Sequence, residues 1–148
     1  MIFNRTADDV TRAAEIRKRI QNGETITNAE VEILERGMLT VNSINRISEK
    51  QAELKNSLDS FAYFCNDVSV KSWSFADIFK AKDFQNLIDN LTVLRNAFYV
   101  FYKTPKNPSP KFHFSNINDL EKILFDLDSN LKYMVANFRD CGNYQCGE

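Results

Sequence analysis

His113 and the cysteines Cys65, Cys141 and Cys146 are the residues of this chain whose types suit metal or nucleophile chemistry. Three thiolates and one imidazole make a common tetrahedral zinc set. The spacing argues against it here: Cys141 and Cys146 stand looser than the usual close ligand pair, and Cys65 and His113 form no second pair. A histidine relay needs oriented partners, whereas His113 lies between Phe112 and Phe114 after a proline-rich loop with no adjacent motif. The acidic groups Asp8-Asp9, Asp119/Glu121 and Asp126/Asp128 read as solvated helix faces and helix N-terminal charges, because residues two apart on a helix do not face each other. A phosphate-cradling glycine loop, HExxH and GxSxG are all absent from the sequence. The expectation is therefore a protein that is not an enzyme, with no catalytic residue, no cofactor and no metal.

Interaction residues are the alternative to catalytic ones. Trp73, the lone tryptophan, reads as a plug over one end of a helical bundle and as a contact residue. Phe138, Gly142, Tyr144 and Gly147 lie in the unusual stretch that closes the sequence, where the glycines permit turns.

The elements that must hold these residues are helices. In the C-terminal third, Ile117, Leu120, Leu124, Leu127, Leu131, Met134 and Phe138 step by three and four, which keeps one apolar stripe along a helix; Ser115 is its expected N-cap. The same alternation recurs over Ile44, Ile47, Gln51, Leu54, Leu58, Phe61 and Cys65, and again over Phe84, Leu87, Leu91, Leu94, Phe98 and Phe101. Gln51 interrupts the second stripe, either fixing register or sitting at a wet edge, and the edge is the expectation. At the N-terminus Thr6 with Asp9 and Thr27 with Glu30 are capping boxes that open two short helices, stopped near Gly23 and Gly37. Between Asn66 and Lys82 the period breaks into a structured connector, with a short helical turn expected at Asp77 to Lys80. Three prolines among residues 105–110 end the third pattern, and the connection that follows is long enough to reverse direction or cross the bundle end.

These patterns predict an all-α fold: an N-terminal helical hairpin at 1–40, three long helices in a bundle at 41–138, and an irregular tail at 139–148, forming one compact unit. A stripe could also be shared between subunits, so a homo-oligomer is expected. With 19 basic against 20 acidic residues and no run of Lys and Arg, nucleic acid is not an expected partner. No window is apolar enough to span a bilayer, the first residues lack a secretory pattern, and the cysteine number is odd, so no membrane insertion, an intracellular start and reduced thiols are expected.

Three segments together resemble a known family. Ile2-Phe3-Asn4-Arg5-Thr6-Ala7-Asp8-Asp9-Val10 is similar to an aromatic-x-Arg-Thr-x-x-Asp-Val opening, and Val41-Asn42-Ser43-Ile44-Asn45-Arg46-Ile47 to an Asp-Leu-Asn-Arg-Val/Ile element at the start of a long helix. Asn118-Asp119-Leu120-Glu121-Lys122-Ile123-Leu124, with the closing Phe138-Arg139-Asp140-Cys141-Gly142-Asn143-Tyr144-Gln145-Cys146-Gly147-Glu148, resembles an Asn-x-Ile-Glu-x-Ile-Leu helix that ends in a doubled Ser-Gly-Glu tail. The resemblance is to modules of phage and prophage structural proteins, tail or baseplate associated, from Clostridia-like Gram-positive bacteria. It implies a non-enzymatic virion component, made in the bacterial host cytoplasm, that attaches to other virion proteins or to copies of itself. Cys141 and Cys146 stand where the resembling tails have Ser, which weakens the zinc reading further. The alternatives are a small phage-encoded protein that binds a bacterial host protein, and a zinc-stabilised binding domain.

Overall fold

The computed structural model describes residues 1–141, with side chains as far as Asn137. Those residues form five helices and no strand: α1 (Ala7–Gln21), α2 (Asn28–Gly37), α3 (Val41–Ser60), α4 (Ala81–Ala97) and α5 (Phe114–Cys141).

α1 and α2 begin where their capping boxes place them. The Thr6 hydroxyl accepts the Asp9 N–H at 3.2 Å while the Asp9 carboxylate accepts the Thr6 N–H at 2.9 Å. Thr27 and Glu30 repeat the arrangement at 3.3 and 2.8 Å, so each helix start satisfies two otherwise free N–H groups. Gly23, at φ +82°, makes the turn between them. Gly37 does more than stop α2. A Cβ there would lie 2.1 Å from the Asp9 carbonyl oxygen and 2.4 Å from the Ala13 Cβ, so the two helices cross as closely as they do only because this residue has no side chain.

α3, α4 and α5 pack around one apolar core, to which the three stripes contribute Ile44, Ile47, Leu54 and Leu58; Phe84, Leu87, Leu91 and Leu94; and Ile117, Leu120, Leu124, Leu127 and Leu131. Their direction follows from the polar pairs. On α3, Arg46 and Lys50 reach Glu121 and Asp128 of α5, each at 2.8 Å, so the two helices ascend together. Gln51 donates to the Leu87 carbonyl at 2.7 Å and, one end further on, Tyr63 stacks edge-on against Phe98 at 4.9 Å, so α4 ascends with them. All three long helices are parallel.

Parallel helices need connectors that return the full length of the bundle, and both do. The 61–80 connector passes Asn90 of α4 at Ser69 and reaches Asn45, near the start of α3, at Trp73. The 98–113 connector leaves with the Tyr99 carbonyl accepting from Asn130, passes Asp126 at Thr104, and arrives with Phe112 5.2 Å from Phe84. The proline-bearing connection therefore does reverse direction, running back beside the helices before α5 begins.

Asparagine carboxamides hold three extended segments. Asn45 accepts the Trp73 N–H at 2.8 Å and donates to its carbonyl at 2.9 Å; Asn90 does the same for Ser69 at 3.1 and 2.8 Å, and Asn118 for Arg5 at 3.2 and 2.9 Å. A carboxamide carries the donor and acceptor of a peptide group, so each Asn supplies the partners that a neighbouring strand would otherwise provide.

Four boundary expectations are corrected. α3 ends at Ser60 instead of reaching Cys65, since Ala62 takes φ +63° and the connector begins there. α4 ends at Ala97, before Phe98 and Phe101, because Phe98 is extended (φ −140°, ψ 157°) and starts the return. No helical turn forms at 77–80: the Asp77 carboxylate folds back to accept the N–H and hydroxyl of Ser74 at 2.8 and 2.9 Å. α5 starts at Phe114, one residue before the expected cap, where His113 Nδ1 accepts the Ser115 N–H at 3.3 Å.

Candidate functional site

The most concentrated chemistry in the fold is a buried charge cluster at the N-terminal end of the bundle. Glu121, on α5, is fully buried. Its Oε2 accepts the Ile2 N–H and Arg5 Nη1, each at 2.8 Å, and its Oε1 accepts Arg46 Nη2 at 2.8 Å. Arg5 is buried as well, and its Nη1 also donates to the Ile2 carbonyl. One carboxylate thus ties together the extended N-terminal segment, α3 and α5. Its two oxygens accept three hydrogen bonds from cations or N–H groups, so Glu121 holds charge in place. Residues distant in sequence meet here: Arg5 of the N-terminal segment, Arg46 of α3, and Asn118 and Glu121 of α5.

This overturns the reading of Glu121 and Asp126 as members of solvated faces, and Asp128 is half-buried and paired with Lys50 and Lys132. Glu121 is inaccessible, and Asp126 is buried, accepting the Thr104 hydroxyl at 2.8 Å and an ammonium hydrogen of Lys122. The residues were visible but their cover was not, because Glu121 is roofed by a segment more than a hundred residues away in sequence. A signal did exist: Glu121 follows Ile117 and Asp128 follows Leu124 by four residues, at the edge of the apolar stripe, so carboxylates there require buried or half-buried cations. Asp128 is one such group. Burial alone would raise its carboxyl, but the ammonium groups of Lys132 and Lys50 outweigh that and hold it below the usual range.

Gln51 is also corrected. It is fully buried, donates to Leu87 and accepts from Asn90 Nδ2 at 3.2 Å, so it sits in the bundle interior and not at a wet edge. Through Asn90 it joins α3, α4 and the first connector in one hydrogen-bonded chain.

Of the expected interaction residues, Trp73 is 8% exposed and belongs to the core. Its ring packs 5.1 Å from Phe79, with the Lys71 ammonium 3.8 Å over its face, which leaves little of it for a partner. Phe138 lies on α5 by its backbone, and its side chain falls outside the described residues, as do Gly142, Tyr144 and Gly147. Cys141 and Cys146 side chains fall outside them too. Cys65 is half-buried and burial pushes its thiol up, away from the thiolate that ligation or nucleophilic attack would require. His113 is exposed and hydrogen-bonded to Ser115 at 2.7 Å. Among the described residues no group of three or more His, Cys, Asp or Glu is arranged to hold a metal ion, and no helix is long and apolar enough to cross a membrane.

Sequence reasoning missed two features of the surface. The connectors hold large apolar side chains in solvent: Phe64, Phe75 and Ile78 on the first, Tyr99 and Tyr102 on the second, with Phe75 89% and Tyr102 98% exposed. A cavity of about 570 Å³ opens between α1, the end of α2 and the start of α5, beside Arg5. Compared with known proteins, the chain matches no family model, no curated protein and no solved structure.

Proposed function

We propose that the chain is a non-enzymatic structural or adaptor component of a phage virion or phage-like tail, acting by assembly with other virion proteins or with copies of itself. The architecture this reading uses is a three-helix bundle that carries a short helical hairpin and an irregular C-terminal tail. The observation that carries it is the set of aromatic side chains presented on the two connectors. Phe64, Phe75, Ile78 and Tyr102 are each at least 78% exposed on segments that the asparagine clamps and Asp126 fix to the helices. Large apolar groups held in water at fixed positions are what an association surface offers before its partner arrives. The buried charge cluster and the Gln51–Asn90 chain are then the framework that keeps those connectors in place.

The test is solution mass by light scattering over a range of concentrations, for the full chain, for a truncation ending at Asn137, and for the triple variant Phe75→Ser, Ile78→Ser, Tyr102→Ser. A defined oligomer, or a defined complex with a neighbouring virion protein, that is lost in the triple variant supports the reading. A monomer in every form, with no virion protein retained, removes assembly and moves the weight to a host-protein target.

A further inference from the structure

We infer that the outer edge of the first connector pairs with the same edge of a second copy of the chain, antiparallel, about a two-fold axis at Ser69. The pairing names a contact for the self-assembly proposed above and rests on that reading. Residues 63–74 run without a turn or bend, and the asparagine clamps fix which way their backbone faces. Asn90 holds both the N–H and the carbonyl of Ser69, and Asn45 holds both groups of Trp73. In an extended chain the N–H and C=O of one residue point to the same edge, and that edge alternates from residue to residue. Ser69, Lys71 and Trp73 therefore turn their backbone groups towards the helices, where they line a cavity of about 150 Å³ against Ser48 and Leu87. The Lys71 ammonium over the Trp73 ring, two residues on, is the side-chain mark of the same extended geometry. Val68, Val70 and Ser72 turn their backbone groups the opposite way. Among the described residues these N–H and carbonyl groups have no hydrogen-bond partner, and Ser69, Val70, Lys71 and Ser72 are all exposed. An uncovered strand edge of this kind is a template for another strand.

The residues along the edge select its partner. Asp67-Val68-Ser69-Val70-Lys71 is complementary to itself when reversed: antiparallel pairing centred on Ser69 sets Val68 opposite Val70 and Asp67 opposite Lys71 in both halves of the pair. The register also has the right parity, since Val68 and Val70 are outward-facing residues and so exchange the ladder hydrogen bonds. Asp67 is exposed and in no ion pair among the described residues. Lys71 reaches Asp77 at 2.9 Å, yet its side chain is 54% exposed and open to a second carboxylate. Phe64 and Phe75, near the two ends of the segment, come from opposite copies to the same end of the pair, which takes exposed aromatic rings out of water. A two-fold contact closes on itself, so its product is a dimer and not a filament.

The test is sedimentation equilibrium of the full chain, with each variant's fold checked by circular dichroism. Asp67→Lys and Lys71→Glu each set like charges opposite one another across the pair; Val70→Pro removes an outward N–H and leaves the clamped residues unchanged. The expected result is a wild-type dimer, a dissociation constant raised about tenfold or more in either charge variant, and its recovery when the two variants are mixed, because each then meets its opposite. Val70→Pro should give no dimer. Ser69→Cys, with Cys65→Ser, Cys141→Ser and Cys146→Ser, should cross-link to itself on oxidation, whereas Ser72→Cys in the same background, which meets Asn66, should not. A dimer indifferent to the charge variants and to Val70→Pro overturns the pairing and leaves the assembly reading in place. Charge variants that stay apart when mixed, or cross-linking at position 72 instead of 69, overturn the register. A wild-type monomer that still retains another virion protein overturns self-pairing alone, and a monomer that retains none overturns both readings.

Discussion

Replacing Glu121 by Gln should be the most damaging isosteric change in the protein. The carboxylate accepts three hydrogen bonds, from Ile2 N–H, Arg5 and Arg46, on two oxygens. A carboxamide keeps one oxygen and turns an NH₂ towards at least one of those donors. It also leaves two guanidinium groups facing each other, with Arg5 fully enclosed. Removing one partner of a buried ion pair costs about 3–5 kcal/mol, a large share of the roughly 5–15 kcal/mol that holds a domain together. At a urea slope of about 2 kcal/mol per M, a loss of about 4 kcal/mol lowers the unfolding midpoint by about 2 M. Urea titration followed by circular dichroism gives that midpoint. The double variant Arg5→Gln, Glu121→Gln should be less damaged than the two single losses added together, by about 2 kcal/mol, because it removes the stranded charge. A loss under about 1 kcal/mol for Glu121→Gln, or strict additivity in the double variant, would show that the cluster does not organise this end of the bundle.

Asn90→Ala removes the clamp on the first connector and one partner of Gln51, and should cost about 1–3 kcal/mol, with the Ser69 amide losing its hydrogen-exchange protection while amides within α3 keep theirs. Gly37→Ala forces a methyl group into the Asp9 carbonyl and Ala13, so it should lower the melting temperature by an overpacking cost of about 1–3 kcal/mol and separate α1 from α2, whereas an exposed control such as Ala29→Gly should leave that contact intact. The Asp77 carboxyl is held at about 2, below its ordinary 3.8, first by the Ser74 N–H and then by the Lys71 ammonium and the Ser74 hydroxyl. Because the folded value is depressed, its contribution to stability is complete above about 4 and disappears as pH falls towards about 2, so a carbon-detected NMR titration should find its midpoint near 2 and Ser74→Ala should move that midpoint upward.

The helix starts were legible because their information is local. Thr6 with Asp9 and Thr27 with Glu30 each lie within one turn, and the structure uses both. The apolar stripes were legible for the same reason, since Leu54 to Leu58 or Leu87 to Leu91 is a single helical step. Direction was not. Nothing within α3 or α5 says whether Arg46 will meet Glu121 or a residue near the far end, and the parallel arrangement is decided by where the connectors are pinned. Those pins are Asn45, Asn90 and Asn118, which in a sequence look like ordinary polar helix positions. Glu121 was misread for a related reason: its burial is created by Ile2 and Arg5, which lie at the other end of the sequence. The cavity beside Arg5 arises only once those distant parts have met.

The N-terminal segment that covers Glu121 has a consequence for the order of events during synthesis. Ile2 and Glu121 are 119 residues apart, so the arm leaves the ribosome well before its partner. The hairpin, whose caps and Gly37 contact lie within α1 and α2, can form while α4 is still being made. Closing a loop of that length costs about 4 kcal/mol in chain entropy beyond a fixed term, and the ion cluster is the contact that closes it. Chains dominated by such distant contacts fold more slowly than helical bundles with short loops. The arm thus waits for a late partner, and a nascent chain halted before residue 121 keeps a solvated Arg5 and a finished hairpin with no carboxylate to receive them.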